Sequence, residues 1–323
     1  PEKPHTEPEP ADEATRLMFQ KAWNTAKLHH KINLMKIRRN GTSRNQGLAS
    51  RAAAAAARKP THKEKFGIKI PDTIEEALQF DRDTGNNKWA EAIKKEMDNM
   101  LRLDVFKFHP STKDFPKSEG WQKAPLQMIF DIKSEDRRYK ARLVCGGHRV
   151  DSTGYDTYSS QIDTVSVMLL LLIAQHAGLT IMTCDISSAF VTASNSEKVW
   201  AMAGDEFDDK KGCKVEIQRA LYGLAGSARA FADFLADTLI RLGFKPSRAD
   251  PDLWIKETEY GYDYIATHVD DVIVAAKKPN ECIAQIEQEY ALRNIEHDPK
   301  YHLGSRLTKR PDGKILMNME EYC

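Results

Sequence analysis

The chain has 323 residues, 41% of them hydrophobic, and a formal net charge of +1, enough for about two domains or one large domain with extensions. Its near-neutral charge points to no polyanionic partner by itself, and five scattered cysteines without a C-x-x-C pair exclude a disulfide framework and offer no zinc-ligand spacing. The longest apolar run, VSVMLLLLIA, is about half a membrane span, and the start PEKPHTEPEPADEA is acidic rather than a signal peptide, so a soluble protein of a reducing intracellular compartment is expected.

Residues 1–65 combine that Pro/Glu-rich start with the basic stretch KLHHKINLMKIRRNGTSR and an alanine run at 52–57. Between residues 16 and 69 the only acid is Glu64. Such a composition buries little, so 1–65 reads as a disordered or loosely helical basic arm. Phosphate contact, a nuclear-import signal and a plain solvated linker all remain open as its role.

From Ile74 the pattern changes. Ile74, Ala77 and Leu78, then Trp89, Ala92, Ile93, Met97, Met100 and Leu101, recur at helical spacing and predict two amphipathic helices split by the turn DTGNN. Strands are predicted at 105–108, 127–132 and 142–145, the last two joined by the charged loop KSEDRRYK. The run 165–176 predicts a buried helix stopped by Gly178, and LTIMTCDISSAF predicts a strand with Asp185 at its C-terminal end. Residues 227–242 place Phe231, Phe234, Leu235, Leu239 and Leu242 on one helix face, stopped by Gly243. Strands at 253–256 and 264–275 and a closing helix at 282–292 complete the chain. With no strict βαβ alternation and no repeat, the fold class is α+β.

The stretch YIATHVDDVIVAA sets two adjacent acids between two strand-like runs, so Asp270 and Asp271 fall at a tight turn. Turn aspartates are common, and the pair alone says no more than that. Asp185 adds a third carboxylate if the two segments are neighbours in one sheet. Three converging acids repel strongly unless a cation neutralises them. Hard divalent ions such as Mg²⁺ take oxygen ligands and keep waters that a phosphate can replace. Two of them, roughly 3.5 to 4 Å apart, serve in-line phosphoryl transfer without a nucleophilic side chain. No G-x-S-x-G, P-loop, H-E-x-x-H or G-x-G-x-x-G offers a rival site.

The segments CDISSAF, RALYGLAGSARAF, LGFKPSRADPDLWI and HVDDVIVAA, in this order, closely resemble the reverse transcriptase region of Ty1/copia-type LTR retrotransposon polyproteins. WAEAIKKEMDNM and RRYKARLVCGGHR upstream, and KYHLGSRLTKRPDGKILMNMEEYC downstream, extend the resemblance over about residues 65–323. It implies a right-hand polymerase fold over 66–323, with fingers, palm and partial thumb and an antiparallel palm sheet backed by helices; with no downstream acids of an RNase H domain in the sequence, no RNase H is expected. The implied activity is RNA-directed DNA polymerisation, with an RNA/DNA template-primer and dNTPs as partners, no membrane, and two Mg²⁺ ions that Mn²⁺ can replace. The chain would then be a fragment of a longer polyprotein, a remnant or an excised domain, with an intracellular, cytoplasmic setting expected and virus-like particles and a nuclear phase left open.

By the same resemblance Asp185, Asp270 and Asp271 fall on the catalytic metal-binding triad, and Ile186 on a backbone-carbonyl ligand. Phe190 takes the place of the aromatic that excludes a ribose 2′-OH, although a lone Phe there also suits a core. Lys140 and Arg142, on one face of a strand, match the residues that hold the incoming triphosphate, and solvent exposure is their other reading. Tyr222 and Gly223 match the loop under the nascent base pair. His268 stands where a Tyr usually meets the primer end, and Arg229 either reaches a template phosphate or faces water. Ala225, Gly226, Ser227 and Ala228 replace the usual Lys-Gln-Ala-Pro, and Met168 replaces a usual Arg. These departures carry a second expectation, a catalytically degenerate remnant that only binds nucleic acid.

Overall fold

Alternation of apolar residues along the strands organises the molecule around a six-stranded antiparallel sheet. The computed structural model describes residues 63–133, 137–310 and 314–318, so the basic arm expected at 1–65 lies almost wholly outside the described residues. The chain divides into Pro1–Thr61 and His62–Cys323, and the second unit is the one described below.

A short hairpin, β1 (Glu64–Lys65) and β2 (Ile68–Lys69), leads into α1 (Ile74–Thr84) and α2 (Lys88–Arg102). The Thr73 hydroxyl accepts the Glu76 N–H at 3.2 Å to start α1, and Gly85, at φ 65°, ends it in the left-handed region. Asp81 couples the two helices. It is only 5% exposed, and its carboxylate accepts the N–H groups of Trp89 at 3.1 Å and Ala90 at 2.9 Å, capping α2 from the neighbouring helix.

Next come β3 (Phe106–His109), β4 (Gln122–Lys123), β5 (Leu126–Ile132) and β6 (Tyr139–Cys145). β5 and β6 form a hairpin against α2, where Trp89 meets Phe130 and Tyr139 edge-on at 5.4 Å and 4.5 Å between ring centroids. After α3 (Thr164–Ala177), β7 (Thr180–Ile186) and the short α4 (Ala189–Thr192), strands β8 (Val199–Met202) and β9 (Lys214–Ile217) join β3 and β4 in the order β3-β9-β8-β4. The chain continues through α5 (Ser227–Arg241), β10 (Lys245–Pro246), β11 (Leu253–Thr258), β12 (Gly261–His268), β13 (Asp271–Ala276), α6 (Pro279–Glu287) and β14 (Leu292–His297). It closes with a small sheet of β15 (Tyr301–His302), β16 (Ser305–Lys309) and β17 (Ile315–Asn318).

The six-stranded sheet runs β10-β11-β12-β13-β7-β14, antiparallel throughout. Period two sorts its side chains onto two faces. Met182, Cys184, Val272 and Val274 meet Phe231, Leu235 and Leu239 of α5 and Ile283 and Ile286 of α6. Ile181, Ile273 and Ala275 meet Val167, Leu170, Leu171 and Ala174 of α3 on the opposite face. Each fully buried large side chain contributes roughly 1.5–3 kcal/mol, so the sheet is held from both sides. The architecture is the expected α+β.

Two predicted elements take a different form in the structure, and β8, β9 and β14 to β17 are strands that the residue pattern does not single out. α3 is buried on one face only, with Val165 at 61% and Leu172 at 60% exposure, because it packs against a single sheet face. The closing helix ends at Glu287 instead of 292, and Leu292 opens β14, whose pairing with β7 draws the chain into the sheet. Among the described residues no helix is long and apolar enough to cross a membrane.

Removing the buried Asp81 carboxylate orphans two helix N–H groups. Asp81→Ala is expected to lower unfolding stability by about 1–3 kcal/mol, read as a reduced midpoint in urea denaturation at unchanged slope.

Candidate active site

The β12–β13 hairpin closes on the pair His268 and Asp271, leaving Val269 and Asp270 as its turn. A two-residue hairpin turn needs positive φ at its first central residue, and Val269 supplies it at 55° despite its branched side chain. β13 then pairs with β7 so that Asp271 stands directly opposite Asp185. The Ile186 N–H donates to the Asp270 carbonyl at 2.7 Å, fastening the turn to the end of β7. Backbone pairing thus brings the three acids together. Asp185 shares strand parity with Ile181, and Asp271 with Ile273, so both acids project on the α3 side of the sheet, at its end.

Burial pushes the Asp271 carboxyl up to about 7, with its hydrogen bond to Asp185 and the charges of Asp270 and Asp185 adding to the shift. Arg293 opposes it. This residue lies opposite Asp185 in the β14–β7 register, with Nε 3.2 Å from Asp185 Oδ2 and Nη2 3.3 Å from Asp270 Oδ2. Asn294, at φ 50° beside a bulge, donates from Nδ2 to Asp185 Oδ2 at 2.7 Å. Neither residue is singled out in the sequence. The signal that marks them is the register of β14 against β7, visible only once the strand order is known.

The acids floor a cleft of about 550 Å³. Lys140, Arg142, Lys133 and Arg138 of the β5–β6 hairpin line one wall, Glu96 and Asn99 of α2 another, and Ser187, Ser188, Tyr222 and Arg293 complete it. Lys140 and Arg142 share a strand face, and burial followed by repulsion from Arg142, Lys133 and Arg293 pushes the Lys140 amine down to about 8. Glu96 accepts the Leu143 N–H at 3.1 Å, and burial pushes its carboxyl up. An oxygen-rich floor facing a cationic wall suits a polyphosphate that arrives with divalent cations.

The remaining candidates divide. Phe190 stands behind the wall, its ring 4.7 Å from that of Tyr222, and packs on the core beneath α5. Gly223, at φ 94°, permits a close approach, but what approaches is the carbonyl of Cys145, into which a Cβ would run. Gly147 meets the Gly223 carbonyl in the same way, and the Cys145 N–H donates to the Tyr222 carbonyl at 2.7 Å. Gly223 therefore locks β6 to the loop and does not line the cleft. His268 ends β12 opposite Asp271, outside the lining. Arg229 also lies outside it, paired to Asp233 at 2.8 Å and Asp156 at 3.3 Å.

A family model described as reverse transcriptase (RNA-dependent DNA polymerase) matches residues 114–322, more than half of the chain. The chain belongs to the reverse transcriptase family. The retrovirus-related Pol polyprotein from transposon RE1 of Arabidopsis thaliana is 28% identical over 283 residues, covering 82% of this chain and 18% of the polyprotein. The RE2 polyprotein of the same plant is 24% identical over 278 residues, covering 80% and 18%. A putative transposon Ty5-1 protein of Saccharomyces cerevisiae is 24% identical over 144 residues, 43% of this chain and 46% of that protein. The chain thus spans less than a fifth of the length of the two Arabidopsis polyproteins, at 18%. A solved structure of the foamy viral protease-reverse transcriptase in complex with double-stranded DNA covers 68% of this chain and 33% of its own, at 15% identity and a TM-score of 0.41.

The lowered affinity of Lys140 for its proton makes it nucleophilic near neutrality. An acylating reagent is expected to modify it with a midpoint near pH 8 and ahead of the exposed lysines, as read by peptide mass spectrometry. Uniform labelling of all lysines would contradict the cleft's electrostatics.

Proposed function

We propose that this chain is an RNA-directed DNA polymerase, the reverse transcriptase part of a copia-type retrotransposon polyprotein, joining a dNTP to a primer 3′-OH on an RNA or DNA template. The observation that carries the reading is the register pairing of Asp271 with Asp185, with Asp270 at the turn, across a cleft from Lys140 and Arg142.

Asp185, Asp270, Asp271 and the Ile186 carbonyl would hold two Mg²⁺ ions, or Mn²⁺ in their place, through oxygen donors alone. Among the described residues no group of three or more His, Cys, Asp or Glu stands arranged as a metal cage, and Asp185 and Asp270 instead contact Arg293. The raised proton affinity of Asp271 still fits the donor set, since crowded carboxylates of this kind favour a cation between them. When bound, such ions supply activation of the attacking hydroxyl and charge neutralisation on the leaving group.

The chain's own residues do the rest. Lys140 and Arg142 take the phosphate oxygens of the triphosphate and align its α-phosphate with the primer 3′-OH, and pyrophosphate leaves toward the same cationic wall. Tyr222 supports the incoming nucleotide, and Phe190, packed against it, limits the space for a 2′-OH. His268, beside the Asp271 pair, is the primer-side contact. Arg229, held by Asp156 and Asp233, is placed for a template phosphate only if it exchanges those partners.

Extension of oligo(dT) on poly(rA) with Mg²⁺ or Mn²⁺ tests the proposal. Asp270→Asn is expected to reduce it by on the order of a thousandfold or more, while Phe190→Ala admits ribonucleotides. Extension that survives Asp270→Asn would refute the assignment.

A further inference from the structure

Glu197 is 4% exposed, and the nucleotidyl-transfer chemistry has no use for it. Its Oε1 accepts the Gly226 N–H at 2.9 Å, and its Oε2 meets no partner among the described residues. Gly226 is the N-cap of α5, and it brings no side chain to cap the first turn. The Glu197 carboxylate, 29 residues away in sequence, instead takes up the N–H of the N-cap residue itself. There it faces the positive end of the helix dipole, which offsets part of the penalty of burying it. A Cβ at position 226 would lie 2.9 Å from Glu197 Oε1, so the acid and the glycine fit as a pair.

Glu197 is itself held in place. Asn195 Nδ2 donates to the Glu197 carbonyl at 2.7 Å and to the Ile217 carbonyl at 3.0 Å, and Asn195 Oδ1 accepts the Glu197 N–H at 3.1 Å. The carboxylate thus projects from a segment pinned to the end of β9. Burial and then the charge of Glu197 push the Cys145 thiol at the end of β6 up to about 12. That is the junction where Cys145 binds the Tyr222 carbonyl and meets Gly223. Two pieces of the cleft meet here, the strand carrying Lys140 and Arg142 and the loop carrying Tyr222, and the start of α5 follows that loop directly.

We propose that Glu197 is a positioning residue, a buried carboxylate that fixes the α5 start and the Tyr222 loop against β6 and so sets the spacing of the nucleotide-binding wall. The inference rests on the polymerase reading for its kinetic consequence and on geometry alone for its structural one. Both are tested together on the full chain, as wild type, Glu197→Ala, Glu197→Asp and Glu197→Gln. In primer extension, Glu197→Ala is expected to raise KM for dNTP by on the order of tenfold with kcat changed less than about twofold. Glu197→Gln keeps an acceptor oxygen for Gly226 and stays near wild type, whereas the shorter Glu197→Asp follows alanine and serves if Glu197→Ala fails to fold. A variant that loses active enzyme at unchanged KM overturns the positioning role. Wild type without extension sinks the polymerase reading instead, and amide hydrogen exchange then decides the inference. Glu197→Ala or Glu197→Asp should speed exchange at Gly226 and Cys145 while α1 and α2 keep their protection. Unchanged protection at those two amides, or equal acceleration throughout, overturns the proposal.

Discussion

Asp271 facing Asp185 across neighbouring strands is a like-charge pair at the short spacing of directly opposed residues, an arrangement that opposes sheet formation unless positive charge answers it. In this structure the answer comes from the proton that burial and the neighbouring acids favour on Asp271, and from Arg293 on the next strand, which reaches Asp185 and Asp270 together. The whole six-stranded sheet is organised to hold this conflict. β7 lies between β13 and β14, so the strand bearing Asp185 has the hairpin acids on one side and the guanidinium on the other. Apolar burial on both faces, against α5 and α6 and against α3, supplies the stability that keeps such a cluster from springing apart.

The cationic wall is built by a separate core. Trp89, Phe130 and Tyr139 pack α2 onto the β5–β6 hairpin, and from that platform Lys140 and Arg142 face the cleft. The two halves are joined at a contact of main chain on main chain, Gly147 and Cys145 against Gly223 and Tyr222. Acid floor and basic wall therefore belong to different packing units, joined at this seam and by Asn99 of α2 donating to the Ser188 hydroxyl at 2.8 Å, and the spacing between them depends on how firmly those contacts hold.

Much of this was legible from residue patterns. Period-two runs located β5, β7, β12 and β13 to within a few residues, and the three acids fell at strand ends because the apolar alternation breaks there. Lys140 and Arg142, two residues apart on a strand, were bound to share a face. What stayed hidden depends on long-range register or on packing. Arg293 and Asn294 lie just past the predicted helix 282–292, in a stretch with no signal of its own, and only pairing with β7 makes them part of the site. Gly223 reads as a glycine for substrate approach, whereas the space it frees is taken by the Cys145 carbonyl. Arg229 reads as free to reach nucleic acid, yet two aspartates, one of them far away in sequence, already hold it. The one-sided exposure of α3 escapes its uniformly apolar sequence, since composition cannot tell how many neighbours a helix will find.

Val269 occupies the left-handed region at the tip of the hairpin, a conformation that costs a branched residue about 1–3 kcal/mol. The bend is thus imposed from below, by the ladder of β12 with β13 and by the bond from Ile186 to Asp270, and is not chosen by the valine. The apex behaves like a sprung catch. Damage to the sheet well away from the carboxylates would be felt first there, as a slackened tip, before any loss of the fold itself.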